Sequence, residues 1–133
     1  MPDANLRSLD ISGCGPSVRF ASLTQALEEL EANGVPFTDA DIIHICWHPR
    51  GTLRRLGIAR CQMTDYGAGR IASSLTGLRS LDVSGCQQLS DAAFMMFASL
   101  GETLRFLNVS STKVSNDTVD RLRVSLPNCE IVH

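Results

Sequence analysis

A chain of 133 residues has the length of one domain and buries roughly two thirds of the surface that its unfolded form exposes, which suffices for a core without disulfides or metals. Lys plus Arg is 12 against 14 for Asp plus Glu, and a formal charge of -2 gives no basic surface that neutralises phosphates, so no nucleic acid partner is expected. Hydrophobic residues make up 44% but aromatic residues only 5%, so the core must be mainly aliphatic.

Signals for export or membrane insertion are not visible in the sequence. Residues 1–5 carry Asp3 and no cationic segment followed by an apolar run, which a secretory signal would need. No apolar stretch approaches the roughly 18 residues of a membrane span. An odd number of cysteines without paired spacing favours reduced thiols, and they are Cys14, Cys46, Cys61, Cys86 and Cys129. We therefore expect an intracellular protein in a reducing compartment, cytoplasmic or alternatively mitochondrial, with no membrane insertion.

A pattern of Leu-x-x-Leu-x-apolar recurs along the whole chain, and such a repeat decides the fold before any single element does. From Leu53 to Leu78 is 25 residues, and from Leu78 to Leu104 is 26 residues. The half unit at the end is expected to place Val132 in the position of the second Leu. We expect a single domain over residues 1–133, with units that begin near Leu6, Leu27, Leu53, Leu78 and Leu104 and a half unit at Cys129.

The segment from Leu23 to Glu31 carries two conflicting signals. Glu and Leu favour an amphipathic helix there, whereas the repeat register favours a strand from Glu28 to Ala32. With the strand, the first unit is only 21 residues long, from 6 to 27, and its helix around residues 18–24 is short. Both alternatives remain open at this point.

Each unit is predicted to be a strand followed by a helix, because the apolar period changes from two to about 3.6. A hydroxyl residue followed by Asp or Asn marks each helix start, with the hydroxyl as the cap and the acid favoured in the first turn. These pairs are Thr38-Asp39, Thr64-Asp65, Ser90-Asp91 and Ser115-Asn116. The apolar residues three and six positions beyond are expected to face the core, namely Ile42, Ile45, Ala68, Ile71, Phe94, Phe97, Val119 and Leu122.

A single unit of this kind cannot bury its own apolar face. Stacking of the units pairs the short strands in parallel and aligns the helices behind them. The sequence therefore predicts an α/β fold, a right-handed solenoid that forms a short arc with the strands on the concave side and the helices on the convex side.

Two segments resemble a known repeat family. Residues 53–61 followed by Thr64-Asp65, and residues 78–86 followed by Ser90-Asp91, are similar to the cysteine-containing leucine-rich repeats of F-box proteins and related adaptors. The resemblance covers nearly the whole chain, with three departures: the first unit keeps Cys14 but lacks the following Thr-Asp, and Val35 and Thr112 stand where the family cysteine would be. It implies a leucine-rich-repeat solenoid.

The resemblance implies docking rather than chemistry. It suggests a non-catalytic protein–protein interaction module that acts as a scaffold, adaptor or accessory subunit of a larger assembly, as short mitochondrial assembly factors do. An alternative is the substrate-recognition part of an SCF-type ubiquitin ligase lacking its own F-box, since the repeats begin at Leu6 and leave no room for that segment. Protein partners are expected to cover one end or the concave face, and a homo-oligomer is also compatible with the open ends.

His44, Cys46 and His48 form the only cluster with metal-ligand side chains. On a helix, residues 44 and 48 share one face whereas residue 46 lies about 200° away, so the three side chains cannot converge on one ion. No nucleophile elbow, phosphate loop or paired-carboxylate motif accompanies them. We expect no enzyme, no metal site and no cofactor. Trp47, with His48 and Pro49, could form an exposed recognition patch or simply the end of the helix.

Three cysteines recur at one position of the repeat, Cys14, Cys61 and Cys86. Adjacent strands lie about 4.8 Å apart, so Cys61 and Cys86 could come within disulfide range. We expect them instead to be small, buried and chemically inert side chains at the bend between strand and helix.

The concave face is the better candidate for binding. Alternate strand positions point outward, and their central residues form what we call the acidic column: Asp10, Glu31, Gly57, Asp82 and Asn108. Arg55 and Ala59 are expected to point outward beside it, and Phe106 is expected to be an exposed aromatic contact anchor. The candidate partner-binding residues are Asp10, Glu31, Arg55, Asp82, Phe106 and Asn108.

One position before each strand lies a second row of charges, the arginine ladder. It comprises Arg7, Arg54, Arg79 and Arg105, and it is interrupted by Glu28. These arginines either balance the acidic column as solvated charges or form a basic rim for a partner.

Overall fold

Six short parallel strands form one sheet in the computed structural model, which describes residues 7–13, 27–47 and 51–133. The strands are β1 (Ser8–Asp10), β2 (Glu29–Glu31), β3 (Arg55–Gly57), β4 (Ser80–Asp82), β5 (Phe106–Asn108) and β6 (Glu130–Val132). The helices are α1 (Asp39–Trp47), α2 (Asp65–Ser74), α3 (Asp91–Met96), which continues as a 3-10 turn (Phe97–Leu100), and α4 (Asn116–Ser125). The strands lie side by side in chain order, so the fold is the α/β solenoid that the repeat predicts.

The central apolar residue of each strand pairs with its equivalent in the next strand. Leu30, for example, pairs with Leu9 on one side and with Leu56 on the other. The strand predicted between Glu28 and Ala32 is therefore confirmed over Glu29–Glu31, because burial of Leu30 outweighs the local helix propensity. The helix expected around residues 18–24 lies outside the described residues, as does Cys14.

The last strand enters the sheet one residue out of the expected register. Ile131 pairs with Leu107, while Val132 pairs with Asn108. The expectation that Val132 takes the position of the second Leu is therefore wrong. The chain from Leu107 to Ile131 spans 24 positions, against 26 from Leu81 to Leu107, because the turn at Pro127 returns the chain to the sheet sooner.

The core lies between the sheet and the helices and is built almost wholly from the repeated apolar positions. Two aromatic side chains fill the space under α3, where the Phe94 and Phe97 ring centroids lie 6.3 Å apart, edge to face. All eight residues that the helix period predicts to face inward are buried, namely Ile42, Ile45, Ala68, Ile71, Phe94, Phe97, Val119 and Leu122.

The starts of α1, α2 and α3 are each joined to the next unit by an aspartate. Asp39, at the start of α1, accepts hydrogen bonds from the Thr64 amide (2.8 Å), the Thr64 hydroxyl (2.5 Å) and the Gly67 amide (3.2 Å). These partners lie at the start of α2, one unit further along the chain. The acid expected to act within its own first turn therefore also caps the neighbouring helix.

The same arrangement recurs at the next two helix starts. Asp65 accepts hydrogen bonds from the amide (2.9 Å) and the hydroxyl of Ser90, and Asp91 accepts one from the Ser115 amide (2.9 Å). The amide and hydroxyl of Ser115 hold the pKa of Asp91 below its ordinary value. The expectation that Ser90 caps its own helix is wrong, since its side chain makes no capping hydrogen bond to α3 and donates to Asp65 instead.

Candidate functional site

Three members of the acidic column hold the turn that follows their own strand. The Asp10 Oδ1 accepts a hydrogen bond from the Ser12 amide at 2.9 Å. The Asp82 Oδ1 accepts from the amide (2.9 Å) and hydroxyl (2.7 Å) of Ser84. Asn108 repeats this pattern with Ser110, at 3.0 Å and 2.7 Å. Sequence analysis missed this role, although the recurring Leu-Asp/Asn-x-Ser spacing is its signal.

In these turns, Asp10 and Asp82 each keep one carboxylate oxygen that can bind a partner. Only Oδ1 of Asp10 and of Asp82 takes a hydrogen bond from the described residues, so each Oδ2 remains available. The amide of Ser12 also holds the pKa of Asp10 below its ordinary value, so this carboxylate stays ionised at neutral pH. The column therefore carries fixed negative charge on rigid turns.

The column is closed at Gly57, contrary to the expectation that residues 57 and 59 open outward. Gly57 and Ala59 are both buried, because two longer side chains from the preceding unit lie across them. The Glu31 carboxylate occupies the space that a side chain at position 57 would need. The Asn33 Oδ1 accepts a hydrogen bond from the Ala59 amide (2.9 Å).

Glu31 is held in this position by its neighbours. Its Oε1 accepts a hydrogen bond from the Asn33 side-chain amide at 3.2 Å, and its Oε2 lies 4.0 Å from the Arg55 guanidinium. The side chain of Arg55 remains 56% exposed and that of Glu31 32%. Where β2 pairs with β3, the acidic column therefore has the single negative charge of Glu31, which forms a long ion pair with Arg55.

Phe106 is half-buried, so the prediction of an exposed aromatic is wrong in degree. It stands in β5 between its pairing partners Ser80 of β4 and Glu130 of β6. Among the described residues, the most exposed large hydrophobic side chains are Tyr66 (61%) on α2 and Val124 (81%) on α4. A contact role for Phe106 stays a prediction.

The arginine ladder is neutralised at one end only. Arg7 lies 3.7 Å from the Glu28 carboxylate. Arg54 donates instead to the backbone carbonyls of Gly51 (3.4 Å) and Leu53 (3.2 Å), and Arg105 donates to the Leu104 carbonyl (3.2 Å). Within the described ranges, no carboxylate lies within ion-pair distance of Arg54, Arg79 or Arg105.

Two cysteines of adjacent units meet in the core. The Cys61 and Cys86 sulfur atoms lie 3.3 Å apart, and the Cys86 thiol also lies 3.3 Å from the Ile58 carbonyl. The hydrogen bond to Cys86, together with burial, raises the pKa of the Cys61 thiol. Burial raises the pKa of the Cys46 thiol on α1 to about 12.

Thiol reactivity should follow this burial. We expect iodoacetamide, applied to the native protein at mildly alkaline pH, to label the half-buried Cys129 before Cys46, Cys61 and Cys86. Peptide mass spectrometry at increasing reaction times measures the order, and the urea-unfolded chain is the control in which these four of the five cysteines label at similar rates. Early labelling of Cys61 or Cys86 would contradict their placement in the closed core.

Metal and membrane sites find no support in the described ranges. There, no group of three or more His, Cys, Asp or Glu side chains is arranged to hold a metal ion. None of the helices described has both the length and the apolar character needed to cross a bilayer. The expected patch at residues 47–49 lies outside the description, apart from the backbone of Trp47.

Comparison with known proteins agrees with this architecture. A family model described as "Leucine Rich repeat" matches residues 75–98, the unit that contains β4 and α3. A solved structure of the tropomodulin C-terminal domain from Caenorhabditis elegans superimposes with a TM-score of 0.68 at 16% identity, covering 95% of this chain and 85% of that chain. A search of curated protein sequences finds no match.

The fold and the family match together define the class. The chain has the fold of an α/β leucine-rich-repeat solenoid, and one of its units matches the family model; solenoids of this kind use their extended concave surface for binding other proteins. At 16% identity the structural similarity shows the fold alone. The finer resemblance to the cysteine-containing subfamily stays a prediction.

Proposed function

We propose that this chain is a non-catalytic interaction module that binds a protein partner on its concave face and serves as a scaffold, adaptor or accessory subunit of a larger assembly. The observation that carries the proposal is the geometry of Asp10, Asp82 and Asn108. Each side chain is fixed by a serine two residues on and keeps one polar atom free. These fixed polar side chains can contact a binding partner, and they are not arranged as a catalytic site.

Rigidity supports this role. Groups that are already held in place lose little conformational entropy on binding, so more of the interaction free energy appears as affinity. Asp82 and Asn108 lie on neighbouring strands, about 4.8 Å apart, whereas Asp10 lies three strands from Asp82, about 14 Å away. A partner with amide or cationic donors at a similar spacing would be complementary in charge.

The remaining candidates extend the same face. Arg55 and Phe106 occupy equivalent positions in β3 and β5, with Ser80 between them in β4. They bring one cation and one half-buried ring next to the acidic column. A contact surface that combines charge with an aromatic group is typical of protein interfaces.

The test is partner recovery by proximity labelling in cells, comparing the wild-type chain with the double variant Asp10→Asn, Asp82→Asn. The amides keep the Oδ1 acceptor that holds each turn but remove the charge. We expect labelling of the partner to fall by about tenfold, the loss expected for two charge-assisted contacts. Asp117→Asn, on exposed α4, is the matched control and should change nothing.

The same experiment separates the alternatives. Unchanged recovery with the double variant would move the binding surface away from the acidic column. Specific enrichment of a Skp-type adaptor would favour the substrate-recognition part of an SCF-type ligase, which rests on the resemblance of the repeats alone. The compartment of the labelled proteins decides between the cytoplasmic and the mitochondrial assignment.

A further inference from the structure

Two rows of opposite charge cross the strands: the acidic column on the concave face, and the arginine ladder at the edge of that face, just before each strand. Arg79 precedes β4, and Asp82, three residues later, ends it. The same three-residue interval separates Arg105 from Asn108. Three residues of strand span about 10 Å, so the backbone positions of the arginine ladder and of the acidic column form parallel rows about 10 Å apart.

The basic row is open for an anion. Arg54, Arg79 and Arg105 occupy equivalent positions in adjacent units, and like charges at strand spacing repel one another unless a counter-charge intervenes. Between Arg79 and Arg105 lies a cleft of about 280 Å³, bordered also by Glu102 and Thr103.

The cleft retains a net positive charge. The Thr103 hydroxyl is already committed to the Leu78 carbonyl at 2.8 Å, so the remaining donors of the cleft belong to the guanidinium groups of Arg79 and Arg105, the latter with one N–H already on the Leu104 carbonyl. The cleft contains two guanidinium groups but only one carboxylate, that of Glu102. Its net positive charge favours binding of a carboxylate from a partner molecule. Guanidinium groups bind carboxylates through paired hydrogen bonds, which orients the ligand as well as holding it.

We propose that the partner segment on this face is an α-helix with segregated charges, laid across β3, β4 and β5. Its acidic side chains, spaced three and four residues apart, contact Arg54, Arg79 and Arg105. Its opposite flank brings lysine, arginine or amide groups to Asp82 and Asn108. This inference rests on the proposed function, since it names the chemistry of the partner on the same face.

Helical dimensions fit the two stripes better than an extended peptide. Three and four residues of helix rise about 4.5 and 6.0 Å, which brackets the strand spacing of about 4.8 Å, whereas same-face residues of an extended chain repeat at about 6.7 Å. A helix about 10 Å wide also matches the distance between the rows. Phe106 lies between the rows on β5, where it can contact the apolar underside of the helix.

A nucleic acid fits the same face poorly. Its phosphates are negative on every side, so the backbone would meet the acidic column once it contacted the ladder. Three arginines also form a short basic row in a chain of net charge -2. The observations therefore favour an acidic protein helix over a phosphate polymer.

The test uses a fluorescent alanine-based peptide of about 20 residues, about 30 Å of helix, with a glutamate stripe on one side and a lysine stripe on the other. Fluorescence anisotropy at low salt compares the wild-type protein with the double variant Arg79→Gln, Arg105→Gln. We expect affinity to fall about tenfold, as for two partly exposed ion pairs. The matched control is Arg121→Gln, Arg123→Gln on α4, which should bind as the wild type does.

A second peptide of the same composition, with glutamate and lysine interleaved around the helix, tests charge segregation. Weaker binding of this peptide by about tenfold supports the proposal. Equal binding of both peptides, or no binding of the segregated peptide at millimolar concentration, overturns it. Tighter binding of poly-uridine RNA, lost in the Arg79→Gln, Arg105→Gln variant, also overturns it and assigns the ladder to phosphates. Thermal melting of each variant confirms that the fold is retained.

The proposed function and the proposal of a charge-segregated helix can be tested separately. In the proximity-labelling experiment, loss of the partner with Asp10→Asn, Asp82→Asn but not with Arg79→Gln, Arg105→Gln would leave the concave face as the binding site and reject the charge-segregated helix. Loss with both double variants supports both statements. Loss with neither rejects both.

Discussion

Phe94→Ala is expected to lower the free energy of unfolding by about 3–5 kcal/mol, the range for removing a large buried aromatic side chain. Phe94 has no exposed surface and packs edge to face against Phe97, with an angle of 73° between the rings. The helix that carries it, α3, has only six residues, too few to be stable without tertiary packing. Removing the Phe94 ring would leave a cavity under α3, and this short helix would lose much of the packing that stabilises it. Equilibrium unfolding in urea measures the loss.

Phe94→Leu and Met95→Ala are the controls for this variant. Leucine keeps most of the apolar volume, so we expect Phe94→Leu to cost about half as much as the alanine variant or less. Met95 is the neighbouring residue and is only half-buried, so truncating it should cost about 1 kcal/mol. A loss below that value for Phe94→Ala would contradict the packing described for α3.

Asp39→Ala is expected to lower the free energy of unfolding by about 2–3 kcal/mol, because hydrogen bonds to a charged group contribute about 1.5–3 kcal/mol. Asp39 accepts from both the amide and the hydroxyl of Thr64 and from the Gly67 amide. Its removal leaves the start of α2 without its acceptor from the preceding unit. Contacts between neighbouring units largely determine the stability of a solenoid, so this loss acts on the whole chain.

The matched control is Asp117→Ala, an acid in the first turn of the last helix that is exposed. Its removal should cost only about 0.3–1 kcal/mol, the range for an acid near a helix start. Asp39→Asn keeps one acceptor oxygen and should fall between the two. If Asp39→Ala and Asp117→Ala cost the same in urea unfolding, the acid of α1 acts only on its own helix, and the link between units is wrong.

Much of the fold could be predicted because apolar residues recur at fixed intervals. The change of period from two to 3.6 identified eight inward-facing helix residues, from Ile42 to Leu122, since burial of those side chains is what holds a unit in place. The strand at Glu29–Glu31 could be favoured over a helix only through the repeat, because its local composition indicates the opposite. Neighbouring units decided that element, through the pairing of Leu30 with Leu56.

The errors of prediction share one cause. Gly57 lies on the concave face as expected, but the Glu31 side chain from the preceding unit covers it. Ser90 has the sequence of a helix cap, but its hydroxyl is drawn to Asp65, 25 residues away. Local spacing cannot reveal which of two possible partners a polar side chain selects.

The sequence by itself determined the repeat, the parallel strands and the residues that face inward, since burial of apolar side chains follows from their period along the chain. Only the tertiary structure decided the hydrogen-bond partners of the aspartates, the pairing of Ile131 in place of Val132, and the closing of the acidic column at Gly57. These features depend on contacts between units about 25 residues apart. There the direction and length of a side chain matter as much as its polarity.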